Sequence, residues 1–164
     1  MPTITAERLR ELLSYDQGTG LLTWLVSQGT IKVGTVAGHT EKNGYVRIKA
    51  DRKNYRAHRL AWFWMTGEWP NPECDHWDMN PSNNRWANLR KAVRSQNCAN
   101  RHAQANNKCG MKGVYWHKQS HTWRAQAVVD GMKRTLGNFK NKEAAQVAYM
   151  LAAAKTYGPF ARAS

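Results

Sequence analysis

The residue types best suited to chemistry in this chain lie between positions 75 and 97. Asp75 and His76 are adjacent, an asparagine-rich segment containing Asn88 follows, and Asn97 stands 22 positions after Asp75. A histidine with a pKa near neutral can take a proton from water, and carboxylate and amide oxygens are ligands of hard divalent cations. Hydrolysis of a phosphodiester needs such a base together with charge neutralisation at the phosphorus. These residue types are therefore candidates for a hydrolytic site.

Each of these residues also has a purely structural interpretation when taken alone. Asp75 could be a turn residue, His76 a core histidine and Asn97 an ordinary residue on a helix surface. Further polar residues of the segment are interpreted as loop formers, because Asn and Asp side chains bond to nearby backbone groups. They are Asp78, Asn83 and Asn84. Only the joint occurrence of the candidate residues favours a site.

A zinc site is a competing interpretation. Cys74, His76, Cys98 and His102 form a Cys-x-His pair and a Cys-x3-His pair, and zinc takes such ligands. Coordination of zinc by His76 would remove the base, and the sequence contains no Cys-x-x-Cys pair. We therefore expect Cys74 and Cys98 to be small buried residues beside the site, with zinc as the alternative.

The segments before the site predict a helix and a small sheet. Residues 3–14 carry an apolar stripe at helical spacing, with Thr3 or Thr5 as the cap. Residues 21–57 alternate between apolar and polar types and contain turn signals, which predicts an antiparallel sheet. Its strands are expected at residues 21–26, 34–37, 45–49 and from 55. We interpret this sheet as a scaffold. Alternatively, its basic residues contact phosphates, namely Lys42, Arg47, Lys49, Arg52 and Lys53.

A second helix is predicted at residues 58–65, before Gly67 and Pro70. We interpret His58 at its start as a buried structural histidine, with a cap or a phosphate ligand as the alternative. After a linker near residue 110, three short strands are predicted at residues 113–118, 123–129 and 133–139, and Asp130-Gly131 is a hairpin turn signal. A helix capped by Asn141 follows. Its buried stripe is expected to consist of Ala144, Val147, Ala148, Leu151 and Ala152.

The charge of the chain indicates an anionic partner. The formal net charge is +14, and the sequence contains eight tryptophans. Basic and aromatic residues together favour nucleic acid over an acidic protein or a membrane surface. The basic excess is +3 for residues 1–74, +5 for residues 75–112 and +6 for residues 113–164, so the C-terminal two thirds are the expected footprint.

Cysteine content and hydropathy indicate the compartment. Three cysteines are an odd number, which argues against a disulfide framework and fits a reducing environment. No apolar run approaches the length that spans a membrane, and no secretory core is visible near the N-terminus. We expect a cytosolic protein, in the host cytoplasm if it is encoded by a phage.

Across residues 55–100 the chain resembles HNH nucleases. The resemblance rests on the Asp75-His76 pair, on Asn88 and Asn97, and on the preceding segment from His58 to Trp62. It implies a two-stranded hairpin followed by a helix around one metal ion. It also implies that His76 is the general base, that Asp75 and Asn97 bind the metal, and that Asn88 holds the loop.

The third residue of the motif is Asn rather than His in this chain. A neutral amide oxygen favours Mg²⁺ or Mn²⁺ over softer metals. One such site cuts one strand at a time, so nicking is expected. The phosphate contacts are assigned to Arg85, Arg90 and Arg94.

Residues 113–162 resemble the ethylene-response-factor type DNA-binding domain of plants. The motifs are Gly113 to Trp116, Trp123 to Ala127, Leu136 to Phe139 and Glu143 to Tyr149. The resemblance implies that the sheet, rather than the helix, enters the major groove. Alternation along the strands then assigns Arg124, Gln126, Val128, Lys133 and Thr135 to the DNA face. The first strand is expected to add Tyr115 and His117, or alternatively the neighbouring Trp116.

These observations predict an α+β protein. A small N-terminal antiparallel sheet leads into a ββα-metal nuclease core, and a three-stranded antiparallel sheet packed on one helix follows. The domains are expected at residues 1–110, with the nuclease core at 58–107, and at residues 111–164.

The expected function is a site-directed nicking or homing endonuclease of phage or mobile-element origin. It would act as a monomer on double-stranded DNA. The alternative is a non-catalytic, sequence-specific DNA-binding regulator that keeps the same fold, and RNA is a weaker third possibility.

Overall fold

The structure is a computed structural model that describes residues 4–100, 107, 109–129 and 131–162. It separates into two compact units, Met1–Ala92 and Val93–Ser164. The sequence placed the boundary near residue 110 instead. The segment after Val93 groups with the second unit because its helix is bonded there: Lys112 Nζ donates to the Ala99 carbonyl at 2.5 Å, and Arg162 Nε donates to Asn100 Oδ1 at 3.0 Å.

The first unit begins with helix α1 (Ala6–Leu12), which runs directly into strand β1 (Leu13–Tyr15). Thr5 caps the helix through a bond from the Arg8 amide, while Thr3 lies outside the described residues. The predicted helix extended to residue 14. It ends earlier because residues 13–15 adopt extended backbone and pair with β2 (Leu22–Trp24).

A three-stranded antiparallel sheet follows, formed by β3 (His39–Thr40), β4 (Val46–Ala50) and β5 (Lys53–Arg56) in that order. The predicted strand at residues 34–37 is not a regular one: a single bridge joins Val36 to Thr23, although backbone hydrogen bonds also link the segment to β2. Gly34 and Gly38 have φ values of +84° and +94°, which interrupt extended backbone on both sides.

Helix α2 (Ala57–Thr66) leads from this sheet and ends at Gly67 in a left-handed conformation. Its apolar face completes the core of the first unit. The largest fully buried side chains of that core are Leu9, Leu12, Leu13, Leu22, Ile48 and Leu60.

The unit ends in a two-stranded antiparallel hairpin, β6 (Glu73–His76) and β7 (Leu89–Ala92). A loop at residues 77–88 joins the strands, and its last turn is a short 3-10 helix, Trp86–Asn88. Cys74 and Leu89 point into the core. This packing fixes which face of each strand is directed inward.

The second unit contains α3 (Arg94–Asn100), strands β8 (Val114–His117), β9 (Thr122–Val129) and β10 (Met132–Phe139), and helix α4 (Lys142–Tyr157). The strands form one antiparallel sheet in the order β10-β9-β8, and α4 packs against it. Asp130 of the predicted β9–β10 turn lies outside the described residues. Among the described helices, none has the length and apolarity needed to cross a membrane.

The predicted buried stripe of α4 is right only in part: Ala148 and Ala152 pack against the core of this unit, but Val147 and Leu151 do not. Val147 and Leu151 are 59% and 68% exposed, whereas the buried positions are Ala145, Tyr149 and Ala153. The reason is steric. Ala125 and Ala127 are the buried residues of β9, so the helix presents small residues and one flat ring to the sheet instead of branched side chains.

A turn at residues 16–21 of the first unit packs against the end of the 77–88 loop. Tyr15 Oη donates to the Asn84 carbonyl at 2.7 Å, and the Trp86 amide donates to the Gln17 carbonyl at 3.1 Å. Gly20 has a φ of +79°, and a Cβ at this position would lie 2.4 Å from the Arg85 amide nitrogen. The N-terminal turn therefore fixes the backbone that enters β7.

Replacement of Gly20 tests this contact. Gly20→Ala should destabilise the protein by at least about 2 kcal/mol more than Gly34→Ala, because backbone must move at residue 85. Gly34 has a similar φ of +84° but no neighbour within 4 Å, so its variant reports left-handed strain alone, about 1–2 kcal/mol. Urea unfolding of both variants measures the difference, and equal losses would contradict the packing.

Candidate active site

Asp75 and His76 form the end of β6 and are both buried, at 7% and 4% exposure. Across the hairpin Asp75 pairs with Arg90, and His76 pairs with Leu89. Adjacent residues on a strand point to opposite faces, so two such side chains can serve one site only where the strand ends. β6 ends at His76, which meets that condition.

The tautomer of His76 is set by Asn84. His76 Nε2 lies 3.3 Å from Asn84 Oδ1, and Asn84 Nδ2 donates to the Ser82 carbonyl at 3.1 Å. The second bond orients the amide so that its oxygen faces the imidazole. Because an amide oxygen only accepts, the proton of neutral His76 is on Nε2, and Nδ1 carries the lone pair.

Two opposing influences act on the basicity of His76. Burial lowers its pKa, whereas the bond to Asn84 and the charges of Asp75 and Asp78 act in the opposite direction. The net result is a pKa below the ordinary value of histidine. The ring is therefore neutral at neutral pH, which is the state that can accept a proton.

The loop between β6 and β7 is closed by Asn88 and Asp78. Asn88 Oδ1 accepts from the Asp78 amide at 3.0 Å, and Asn88 Nδ2 donates to Asp78 Oδ1 at 2.9 Å and to the Asn83 carbonyl at 2.7 Å. Asn83 Nδ2 donates to Asp78 Oδ2 at 2.6 Å. Burial raises the pKa of Asp78, but these bonds and one from the Asn80 amide outweigh it and hold the pKa below its usual range.

Asp75 is bonded to Arg90. Arg90 Nε and Nη2 donate to Asp75 Oδ2 at 3.0 and 2.9 Å, and the guanidinium carbon lies 4.5 Å from the centre of the Trp77 ring. This geometry makes Arg90 the partner of the carboxylate, and its predicted contact with phosphate stays a prediction. Arg85, the other predicted phosphate ligand on this loop, is exposed.

The donor chemistry around Asp75 fits a hard cation. Among the described residues, no group of three or more His, Cys, Asp and Glu side chains is arranged to hold a metal ion. Mg²⁺ keeps several waters and needs only one or two carboxylates together with substrate phosphate, so a single buried carboxylate is compatible with it. Zinc requires a fuller set of protein ligands.

Of the two cysteines that were expected to be buried, only Cys74 is buried. Cys74 is buried, and burial raises the pKa of its thiol to about 12, which disfavours the thiolate that zinc needs. Cys98 was expected to be buried but is exposed, because it lies on the outer side of the short helix α3. His102 lies outside the described residues.

Besides Asn84, which was interpreted as a loop former, the structure adds two residues that the sequence did not assign to the site. The ring centre of His58 lies 4.9 Å from that of His76 in an edge-on arrangement, and the ring of Tyr45 lies 5.9 Å from His76. Tyr45 belongs to the sheet that was interpreted as a scaffold. No local pattern predicts this contact, since residues 45 and 76 are brought together only by tertiary packing.

Two other predicted residues belong to the second unit. Asn97 is half-buried on α3, and Arg94 is exposed at the start of that helix. The Asn97 amide donates to the Val93 carbonyl at 3.0 Å. The assignment of Asn97 to a metal together with Asp75 stays a prediction.

The predicted DNA-facing residues of the sheet occupy neighbouring positions in its register. Arg124 Nε donates to Asn138 Oδ1 at 2.8 Å, and Gln126 Nε2 donates to Thr135 Oγ1 at 3.1 Å. The neighbouring pairs in register are Tyr115 with Arg124, His117 with Thr122, and Lys133 with Val128.

Trp116 does not lie on the same face of the sheet as these residues. It pairs with Trp123, and their ring centres are 5.4 Å apart, although Trp116 is 44% exposed. Trp123 packs against the core between the sheet and α4. Trp116 therefore belongs to the helix-facing row at the edge of the sheet.

Comparison with known proteins identifies the class of the first site. Residues 55–99 match the model of an HNH endonuclease family. Protein 3.8 of Escherichia phage T7 is 29% identical over 120 residues, which cover 70% of this chain and 97% of that protein. No solved structure matches. The family match ends at residue 99, so the C-terminal resemblance rests on sequence motifs alone.

The buried His58 predicts a pH-dependent stability. Burial, His76, Arg59 and Arg56 lower its pKa to about 3, whereas in the unfolded chain it titrates near 6.5. The unfolded state therefore binds the proton first, and stability is lost as pH falls from about 6.5 towards 3. For His58 alone, the loss between pH 7.5 and 5.0 should be about 2 kcal/mol.

Urea unfolding at both pH values checks this loss. His58→Leu should reduce the difference between the two pH values by that amount, whatever its effect at pH 7.5. An unchanged difference in the variant would show that His58 titrates normally.

Proposed function

We propose that this protein is a divalent-metal-dependent DNA endonuclease that nicks one strand at a time. The observation that carries the proposal is the buried Asp75-His76 pair, with Nε2 of His76 bonded to Asn84, inside an HNH endonuclease domain. A histidine fixed in this tautomer, neutral at neutral pH and adjacent to a carboxylate, is suited to hydrolysis of a phosphodiester.

In this proposal His76 Nδ1 takes the proton from the attacking water. Asn84 accepts from Nε2 throughout and stabilises the imidazolium that forms. Asn88 and Asp78 keep the loop in the conformation that places Asn84. The chain therefore supplies a base whose orientation is set before the substrate binds.

Asp75 and Asn97 would hold a Mg²⁺ or Mn²⁺ ion. Such an ion would neutralise charge on the phosphate and stabilise the leaving 3′ oxygen. Arg90 orients the Asp75 carboxylate through Oδ2. Loss of that bond would leave a buried charge unpaired, which is destabilising.

The second unit supplies the DNA-binding surface of the proposed enzyme. Residues 113–164 carry a basic excess of +6. Arg124 and Gln126 are ordered by their partners on β10 and retain further donors for base edges. We assign this sheet to double-stranded DNA and place Lys133 at a phosphate.

The relationship to a phage protein supports a phage or mobile-element origin. A protein of this kind acts in the cytoplasm of the bacterial host. One site for each chain fits a monomer that nicks at a chosen sequence, as a homing endonuclease does.

One observation favours a second candidate, a DNA-binding regulator without catalytic activity. The Asp75 carboxylate is paired with Arg90, and an ion pair of this kind could be purely structural. The buried His76–Asn84 bond favours the enzyme, because a structural site has no need of a fixed tautomer.

Supercoiled plasmid and phage DNA distinguish the two candidates. We expect nicked circles with Mg²⁺ or Mn²⁺ and none with chelator. His76→Ala should lower the rate by about 10²–10⁴-fold, since general base catalysis is lost. His39→Ala removes an exposed imidazole of the same unit and should retain the rate.

Two outcomes would contradict this proposal in different ways. If the protein binds DNA but nicks none of the DNA offered in the presence of metal, the regulator is supported. Equal nicking by wild type and His76→Ala would leave a nuclease but remove His76 from its site.

The sheet assignment is tested by binding rather than cleavage. Arg124→Ala should weaken binding of a selected DNA site by about 1–3 kcal/mol and relax its base preference, because a base contact is lost. Lys142→Ala removes an exposed charge from α4 and should leave the preference unchanged. Fluorescence anisotropy with selected and scrambled duplexes measures both, and identical behaviour of the two variants would reject the sheet as the reading surface.

A further inference from the structure

Three elements of the first unit converge on the imidazole of His76. His58 comes from the first turn of α2, Tyr45 from the turn before β4, and His76 from the end of β6. The ring centres lie 4.9 Å apart for His58 and His76, 5.9 Å for Tyr45 and His76, and 5.5 Å for Tyr45 and His58. These distances are within the range of ring–ring contacts.

Tyr45 is held from its own side of the fold. The Arg56 guanidinium carbon lies 5.0 Å from the centre of the Tyr45 ring, and Arg56 also pairs with Glu41. The Glu41 amide donates to the Tyr45 carbonyl at 2.8 Å. The contacts fix both the backbone and the ring of Tyr45.

The same turn lies against the asparagine-rich loop. Gly44 has a φ of +82°, and a Cβ there would lie 2.7 Å from Cγ of Pro81. No side chain larger than hydrogen fits between the two segments without movement. The position of Tyr45 is therefore tied to the loop that carries Asn84.

His58 is a polar residue at a buried position of α2. It is only 7% exposed, and among the described residues its Nδ1 has no hydrogen-bond partner. A buried polar atom without a partner is destabilising, and a leucine of similar volume would avoid that loss. An imidazole at this position is therefore not explained by packing alone.

We propose that His58 and Tyr45 are positioning residues for His76, which hold its ring so that Nε2 meets Asn84 and Nδ1 is presented to the attacking water. The inference rests on the proposed nuclease function. Rotation of the His76 ring by half a turn would place a carbon at Asn84 and misdirect the lone pair. Edge-on contact with a second ring opposes that rotation.

The charge state of His58 is consistent with this role. Burial is the main reason that its pKa is lowered to about 3, so the ring is neutral wherever the enzyme would work. A neutral neighbour does not repel the proton that His76 receives. His58 thus acts through its shape and its ring edge, without taking up the proton itself.

Matched variants of Tyr45 and Tyr55 distinguish a role in orienting His76 from a general role in stability. Tyr45→Leu should lower kcat for plasmid nicking at least tenfold with little change in KM, and Tyr45→Phe should restore it, because the ring returns. Tyr55→Leu is the control: Tyr55 is an equally half-buried tyrosine of the same sheet that stacks on Trp69, away from His76. It should reduce stability but leave the kcat of the folded protein unchanged.

His58→Leu provides a second, independent variant. It should leave the melting temperature at neutral pH equal or higher, since the unpaired Nδ1 is removed, while kcat falls at least tenfold. A purely structural role predicts the opposite pattern, with lower stability and unchanged kcat. That opposite pattern would overturn the proposal for His58.

The tautomer of His76 gives a readout that does not depend on activity. ¹⁵N NMR of the labelled full-length protein should show the Nε2–H form of His76 in wild type and in Tyr45→Phe, and a mixture of tautomers in Tyr45→Leu and His58→Leu. An unchanged tautomer together with unchanged kcat overturns the positioning role and leaves the nuclease intact. If the wild type does not nick DNA, the proposed function falls, and the tautomer comparison alone decides whether the rings orient His76.

Discussion

The site depends on one hydrogen bond, between Nε2 of His76 and the side-chain oxygen of Asn84. A buried imidazole can present a chosen nitrogen only if its other nitrogen has a partner of fixed polarity. Here the partner is an amide oriented by the Ser82 carbonyl, on a loop closed by Asn88 and Asp78. The remaining elements of the first unit either hold that loop or hold the ring.

Elements remote in sequence serve this bond. Strand β1 fixes the backbone of Asn84 through Tyr15, and the turn before β4 brings Tyr45 to the imidazole. α2 contributes His58 from its buried side. A region that was interpreted from sequence as a scaffold thus contacts the imidazole of the candidate site.

The local sequence pattern predicted which segments are helices and strands better than it predicted which side of each one is buried. The two three-stranded sheets and the helices α1, α2 and α4 are visible in hydrophobic periodicity and turn chemistry, whereas the hairpin at residues 73–92 and the helix after it were implied by the resemblance to HNH nucleases. Residues 34–37 do not form a regular strand, and Val147 and Leu151 of α4 are exposed instead of buried. In α4 both possible faces are apolar, so periodicity could not decide between Val147 and Tyr149. The choice follows from the space that Ala125 and Ala127 leave above the sheet.

The sequence by itself determined the chemistry available: an Asp-His pair, Asn88 twelve residues after His76, and a basic chain suited to DNA. Residue types and spacing suffice for this, since they follow from the reaction and from short-range loop geometry. The tertiary structure alone decided that Asn84 bonds to Nε2 of His76, that Arg90 is bonded to the Asp75 carboxylate, and that Tyr45 and His58 contact the imidazole. The physical reason is that each of these contacts depends on how packing directs side chains, which periodicity does not record.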